Sequence, residues 1–350
     1  MDFKDHNKDN FWNFHGLSDF QRITLIKDIH SSEITSVCFM KDGRLVSGSM
    51  DQNVFIYNKI TFEIEIKIKE KKPISYINIT KEGILIICLY TTFFNLYKIK
   101  GKEYEIIQTI KPYSLLLEIQ AKFEDCFSIR KFIELKNGDL AVIVWRFGIS
   151  FYTKKNKKKS KKYSFLKKYR ENKDVIISDL IELDNNKYII SLKEHEKIQF
   201  LDLDTNFCKI TKTMKLDKFC IGSSKNELIL MNDTDLFVVG EMGIIIIDTK
   251  KKEEIKRIQL ERYINIASIY KLDHNIILVG YWYNYIEQLE YDETKKLLNL
   301  NSMTKRMHYY NNEIYHVNSI SIYKNNLIAG PYNNYYYGDS SLIVYKYKLK

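Results

Sequence analysis

The residue types that carry chemistry are present, but their spacing does not perform any. Lys193-Glu194-His195-Glu196 sets acids beside a histidine. A zinc hydrolase helix needs HExxH, two histidines one turn apart, and that motif is absent. Asp202, Asp204 and Asn206 open like a calcium loop. Phe207 then stands where the loop must turn on glycine, and Thr213 where a bidentate glutamate is required. The segment reads instead as a turn whose Asp and Asn side chains bond their own backbone. Five cysteines (Cys38, Cys88, Cys126, Cys208, Cys220) never form a CxxC pair. Four of them sit in apolar stretches, as small buried hydrophobes do in a reducing compartment. No GxSxG, P-loop or GxGxxG occurs. These residues predict no catalysis, no metal and no cofactor.

The chemistry that remains is recognition by rings and by charge. The chain has 350 residues with Tyr 26, Phe 19 and Trp 3, and only four alanines (Ala121, Ala141, Ala267, Ala329). Aromatic and β-branched side chains favour strands and alanine favours helices, so the composition predicts an all-β fold. The net charge of +11 is local. Residues 154–173 hold eleven Lys or Arg and one Glu, a net of +10, which leaves +1 for the other 330 residues. Lys157, Lys158, Lys159, Lys161 and Lys162 are the centre of this basic segment. It reads either as a solvated loop, because like charges repel, or as a weak contact with anionic lipid or RNA. Tyr163, Phe165 and Tyr169 interleave the bases and suit either stacking on nucleobases or a strand.

The elements that position these groups come from a repeat. From residue 33 a short apolar run, a polar turn, a second run, another turn and an alternating strand recur seven times. The clearest copy is ITSVCFMKDGRLVSGSMDQNVFIYN, Ile34 to Asn58. Equivalent positions in the second run are read as Val46, Ile86, Val142, Ile189, Val238, Leu278 and Ile328. Their intervals are 40, 56, 47, 49, 40 and 50 residues, the longest being assigned to the lysine-rich insertion. Four short strands per unit at this period predict β-propeller blades. The seventh unit supplies strands at 316–323, 326–330 and 341–347 and then ends. A spare strand, Gln21 to Ile29, is expected to complete it and leave no open edge. The sequence thus predicts seven blades over residues 19–350, preceded by an arm, 1–18, that carries FWNF (Phe11 to Phe14).

The first unit resembles a WD40 repeat. His30 stands where that family places its histidine, ITSVCF and a KDG turn follow, and Asp51 takes the place of the turn aspartate. The resemblance implies a buried hydrogen-bond network for His30 and Asp51. Tyr57-Asn58 replaces the terminal Trp-Asp pair and no glycine precedes His30, while Leu201-Asp202 and Ile247-Asp248 keep the aspartate. Double glycines of the kelch type and an FRRG phosphoinositide motif are both absent. In that topology the loops between second and third strands share one face. Here they carry Tyr90, Trp145-Arg146-Phe147, His195, Tyr281-Trp282-Tyr283 and the stretch from Pro331 that includes Tyr336. Tyr90, Trp145, Arg146, Tyr281, Trp282 and Tyr336 are the candidate partner-binding residues, since Tyr, Trp and Arg carry interface energy. The alternative is that these rings fill space between blades. The expected protein is a non-catalytic interaction scaffold that binds a protein or peptide. It is expected to be cytoplasmic or nuclear, and a monomeric ring within a larger complex. No apolar leader is read at the N-terminus, and the longest near-apolar run, Ile84 to Phe94, is about half of the ~20 residues that a membrane span needs.

Overall fold

The computed structural model describes residues 20–91, 93–111, 129–144, 147–154, 162–169, 175–184, 186–192, 197–203, 208–216, 227–240, 243–259, 266–281, 286–303, 315–316, 320–323, 327–334 and 340–347. Every regular element among them is a strand. Six antiparallel sheets of four strands follow one another, each a meander in chain order. Sheet 1 is β2 (Ile34–Phe39), β3 (Leu45–Ser49), β4 (Asn53–Tyr57) and β5 (Ile64–Lys69). Sheet 2 is β6 (Ile74–Ile79), β7 (Ile84–Leu89), β8 (Phe94–Lys100) and β9 (Glu103–Ile110). Sheet 3 is β10 (Ile129–Glu134), β11 (Leu140–Val144), β12 (Gly148–Lys154) and β13 (Tyr163–Tyr169). Sheet 4 is β14 (Ile177–Asp184), β15 (Lys187–Leu192), β16 (Lys197–Leu203) and β17 (Cys208–Lys215). Sheet 5 is β18 (Glu227–Leu230), β19 (Asp235–Gly240), β20 (Gly243–Asp248) and β21 (Glu253–Gln259). Sheet 6 is β22 (Ile266–Lys271), β23 (Ile276–Tyr281), β24 (Ile286–Asp292) and β25 (Leu297–Met303). This arrangement fits a propeller.

A further sheet joins the two ends of the chain. β1 (Phe20–His30) lies antiparallel to β29 (Ser340–Tyr347), from Phe20 opposite Tyr347 to His30 opposite Ser340. β29 pairs with β28 (Leu327–Asn334). The strand expected at 316–323 is two short pieces, β26 (Tyr315–His316) and β27 (Ser321–Tyr323), both paired with β28.

The first turn in sheets 1, 2 and 3 is one design. Met40 N–H bonds Arg44 O at 2.8 Å and Gly43 N–H bonds Met40 O at 3.0 Å. The same two bonds recur between Thr80, Gly83 and Ile84, and between Leu135, Gly138 and Asp139. Gly43, Gly83 and Gly138 sit at φ +91°, +80° and +84°, the left-handed region that a Cβ disfavours. The KDG, KEG and KNG triplets are therefore backbone requirements.

Burial follows a period of two, with both faces covered. In β7, Ile84, Ile86 and Cys88 pack against sheet 3, while Leu85, Ile87 and Leu89 pack against sheet 1. In β19, Leu236 and Val238 face sheet 4 and Phe237 and Val239 face sheet 6. Alternate side chains point to opposite sides of a strand, so a strand that fills two interfaces must be apolar at every position. That is why the second runs read as continuous Val, Ile and Leu. Leu342 and Val344 of β29, with Ile26 and Ile29 of β1, pack on sheet 1 in the same way.

This parity corrects two readings of the sequence. Val46, Ile86 and Ile189 face the following sheet, whereas Val142 and Val238 face the preceding one. Counted from the turns, the equivalent residues are Ala141 and Phe237, which do face forward. A one-residue slip in register exchanges the faces, and in an all-apolar run composition cannot reveal it. The longest interval, Ile86 to Val142, also precedes the lysine-rich segment. It contains the connection from Ile110 at the end of β9 to Ile129 at the start of β10.

Outer strands are guarded. In all six four-stranded sheets the register shifts by one residue between the third and fourth strands, for example opposite Leu96/Tyr97 and Phe151/Tyr152. A bulge twists an edge away from straight pairing and discourages strand addition by another molecule.

A close approach lies between sheets 1 and 2. A Cβ on Gly48 would lie 2.8 Å from Cγ2 of Ile74 and 2.9 Å from Cγ2 of Ile77, both buried. Gly48→Ala is expected to cost about 1–3 kcal/mol by overpacking, read as a lower urea midpoint at unchanged m-value. An unchanged midpoint would mean that this interface yields freely.

Candidate functional site

The best-defined polar site closes sheet 1 at its loop face, where β1 hands over to β2. His30 is buried. Its Nδ1 lies 2.9 Å from Asp51 Oδ2 and its Nε2 2.8 Å from Ser47 Oγ, which lies 2.8 Å from Tyr57 OH. An ionised Asp51 only accepts, so Nδ1 donates to it. Nε2 and the Ser47 hydroxyl are hydrogen-bonded in turn, and Ser47 Oγ is hydrogen-bonded to Tyr57 OH. The His30 ring stacks on Phe55 at 4.4 Å between centroids, 14° from parallel. Asp51 also takes backbone N–H groups from Ser31 at 3.2 Å and Asn53 at 2.8 Å. The network thus ties the entry to β2 and the β3–β4 turn to the middle of the sheet.

Burial alone would raise the Asp51 carboxyl. Hydrogen bonding and charge from His30, with bonds from Asn53, instead bring it from 3.8 down to about 2. Burial pushes the Tyr57 phenol up, so it stays a donor.

On the same face Tyr90 lies just after β7, its backbone N–H held by Pro73 O at 2.9 Å. The residue is 43% exposed. Burial and Glu33 push its phenol up while Arg130 of β10 pulls it down, and burial lowers Arg130 against the pull of Tyr90. Tyr90, Glu33 and Arg130 are therefore electrostatic neighbours. Trp145, Arg146, Trp282, Tyr336 and His195 lie outside the described residues, as do Lys157, Lys158, Lys159 and Lys161 and the arm with FWNF. Tyr281 ends β23, opposite Ile266. Pro331 belongs to β28 and pairs with Leu342. Phe147 is buried between sheets 2 and 3 as filler. Lys162 is exposed just before β13. Tyr163, Phe165 and Tyr169 all lie on β13, with Tyr163 and Tyr169 buried and Phe165 exposed.

A polar row on the innermost strands escaped the sequence reading. Three residues before the end of their first strands stand Ser36, Tyr76, Lys131, Glu227 and Ser268, and Asp179 of β14 holds the matching place in register, opposite Ser191 of β15. Ser36 Oγ donates to Ile77 O of sheet 2 at 3.3 Å. Lys131 Nζ donates to Asp179 of sheet 4 at 2.7 Å. Asp179 accepts Leu228 N–H of sheet 5 at 2.9 Å, and Glu227 accepts Ile269 N–H of sheet 6 at 3.2 Å. Each reaches forward to the next sheet. Burial disfavours charge on Lys131, but Asp179 and Glu227 hold its amine above its ordinary range. Lys131 and the carboxylates thus satisfy one another and neighbouring backbone. Among the described residues no group of three or more His, Cys, Asp or Glu side chains could hold a metal. Only alignment on the turns would have revealed the row, because its residue types differ from unit to unit.

No family profile matches the chain, and no curated protein sequence matches it. Solved structures do. Raptor of Chaetomium thermophilum superposes with a TM-score of 0.68 at 12% identity, over 97% of this chain and 29% of that one. U3-55K superposes with a TM-score of 0.67 at 10% identity, over 94% of this chain and 99% of that one. The chain therefore spans less than a third of the Raptor chain and nearly all of U3-55K. Both are WD40 proteins, and the likeness establishes a WD40-like β-propeller fold.

Asp51 generates a pH test. Its folded pKa lies below the ordinary value, so its contribution is present above about 3.8 and lost as pH falls through about 2. Asp51→Asn is expected to cost about 1–3 kcal/mol at neutral pH, since it leaves buried partners short. The gap from the parent should close toward pH 2 in urea titrations. A gap independent of pH would deny the carboxylate its role.

Proposed function

We propose that the chain is a non-catalytic interaction platform: a seven-bladed WD40-like ring, closed by β1 in the last blade, that docks a protein or peptide on its loop face. The propeller spans residues 19–350, with 1–18 as an arm. His30 and Asp51 are structural in this reading. The observation that carries it is Tyr90, a half-exposed residue whose backbone N–H is held by Pro73 and whose phenol feels the charge of Arg130. Tyr and Arg give large contact area with polar tips, and a pinned loop loses little entropy on binding. The likeness in fold to two WD40 proteins supports a platform in general. Trp145, Arg146, Tyr281, Trp282 and Tyr336 extend the surface in this proposal. The ring works as one copy inside a larger complex, in the cytoplasm or nucleus.

The test is quantitative capture of partner proteins from native lysate at high salt. Tyr90→Ala with Arg130→Ala, and separately Trp145→Ala with Trp282→Ala, are expected to lower recovery of the same stoichiometric partner at least about tenfold. The thermal transition should stay near that of the parent. Undiminished capture sinks the docking face, and an unfolded tryptophan pair would make those rings filler between blades.

A further inference from the structure

The opposite face is built for a different contact. In a four-stranded meander the first and third turns fall at the same end. Bonds between sheets join these ends: Arg44 Nη1 to Gly101 O at 2.6 Å, Lys81 N–H to Glu134 at 2.5 Å, and Lys136 N–H to Glu182 at 2.6 Å. Lys154 pairs with Glu82 across sheets 3 and 2. The turn ends of sheets 1 to 4 therefore form one continuous surface.

Its charge is mixed. Asp42 lies 2.9 Å and Glu65 3.7 Å from Arg44, Glu82 pairs with Lys154, and Glu105 lies 3.8 Å from Lys100. Glu134 and Glu182 accept backbone amides. Exposed acids (Asp42, Glu63, Glu82, Glu103, Glu105 and Asp184) are interspersed with the exposed Lys41, Lys59, Lys81 and Lys102, and Asp42, Glu82 and Glu105 among them are paired with basic side chains. Lys154, at the end of β12, and the exposed Lys162, just before β13, lie at this end of sheet 3.

On the turn between β4 and β5 stands Ile60, 77% exposed, more than any other large hydrophobic side chain among the described residues. The turn that presents it is fixed. Asn58 N–H bonds Glu63 O at 2.8 Å and Phe62 N–H bonds Asn58 O at 3.0 Å. Asn58 Oδ1 takes the N–H of Ile60 at 2.8 Å and of Thr61 at 3.0 Å. Phe62, at φ +58°, turns its ring into the core. A single exposed isoleucine is ordinary. One held out on a hydrogen-bonded turn beside Lys59, on a lysine-bearing face, is not explained by the fold.

The geometry points to an anionic lipid surface as the occupant of this face, with Ile60 entering the interfacial layer and Lys41, Lys59, Lys81 and Lys102 lying over the headgroups. Anchoring on a charged bilayer combines an apolar wedge with cations, each weak alone. RNA would ask for exposed rings on which bases stack. Of the three rings in the basic segment, Tyr163 and Tyr169 are buried and only Phe165 is exposed, its ring edge-on to Tyr152, while the most exposed side chain on this face, Ile60, is aliphatic. This contact goes beyond the docking face, lies on the opposite side and does not depend on it.

The test is sedimentation of the full chain with vesicles of phosphatidylcholine, alone or mixed with phosphatidylserine, at low and physiological salt. Binding to the mixed vesicles only, weakened by salt, is expected. Ile60→Asp should reduce it about tenfold with an unchanged thermal transition, since the side chain is solvent-facing. Lys59→Glu and Lys81→Glu should each reduce it roughly fivefold or more. Emission of an Ile60→Trp chain should shift to the blue on those vesicles. Absence of binding, binding indifferent to Ile60→Asp, an unshifted Ile60→Trp emission, or tighter capture of single-stranded RNA in a mobility-shift assay at the same salt would each overturn the proposal.

Discussion

Burial on both faces of every inner strand is the constraint from which the rest of this molecule follows. Each of the six described interfaces between sheets is filled by alternate residues of the strands on either side. A side chain can therefore serve only the interface its parity dictates. Neighbouring sheets cannot slide without unpacking two interfaces at once, because interiors are close-packed and do not deform continuously. That rigidity lets short turns act as fixed platforms. Tyr90 is held by one backbone bond to Pro73 and Ile60 by the Asn58 turn, each at the end of strands packed on both faces.

Polar groups inside such a stack must be satisfied within it. The molecule does this in two ways. Along the innermost strands, Ser36, Asp179 and Glu227 give their side chains to the backbone of the next sheet, and Lys131 to Asp179. Near the turns, Asp235 of sheet 5 collects Lys296 at 2.5 Å and Tyr291 O–H at 2.8 Å from sheet 6. Breaking one partner of such a set strands the other without water, so these groups fix the order of the sheets more than they add stability. The His30 network performs the same task where the first strand enters the second.

Much of the fold was legible in the sequence because the constraint writes itself into composition. Runs such as ILIICL and GIIIID, cut by turns with Gly, Asp and Asn, mark strands that are buried twice, and the spare segment before Ile34 pairs with β29 as its alternation suggests. Register was less legible. Ala141 and Val142, or Phe237 and Val238, are equally apolar, and only the turn geometry says which faces forward. The polar row was hidden for a related reason: Ser36, Lys131, Asp179 and Glu227 share a position and a direction but not a residue type. Phe147 beside Tyr90 gives the same lesson for the candidate site. Both follow a second strand, yet Phe147 turns into the interface and Tyr90 does not, a choice set by local backbone and neighbouring sheets.

The most direct test of the two-faced packing is a double-mutant cycle across sheets 5 and 6. Phe237 and Tyr291 meet edge to face with centroids 4.8 Å apart, whereas Val238, the next residue, faces sheet 4. Phe237→Leu with Tyr291→Leu is expected to show a coupling of about 0.5–1.5 kcal/mol. Val238→Ala with Tyr291→Leu should be additive within about 0.5 kcal/mol. Equal coupling of Val238 and Phe237 to Tyr291, or none for Phe237, would contradict the assignment of alternate residues to opposite interfaces on which the account stands.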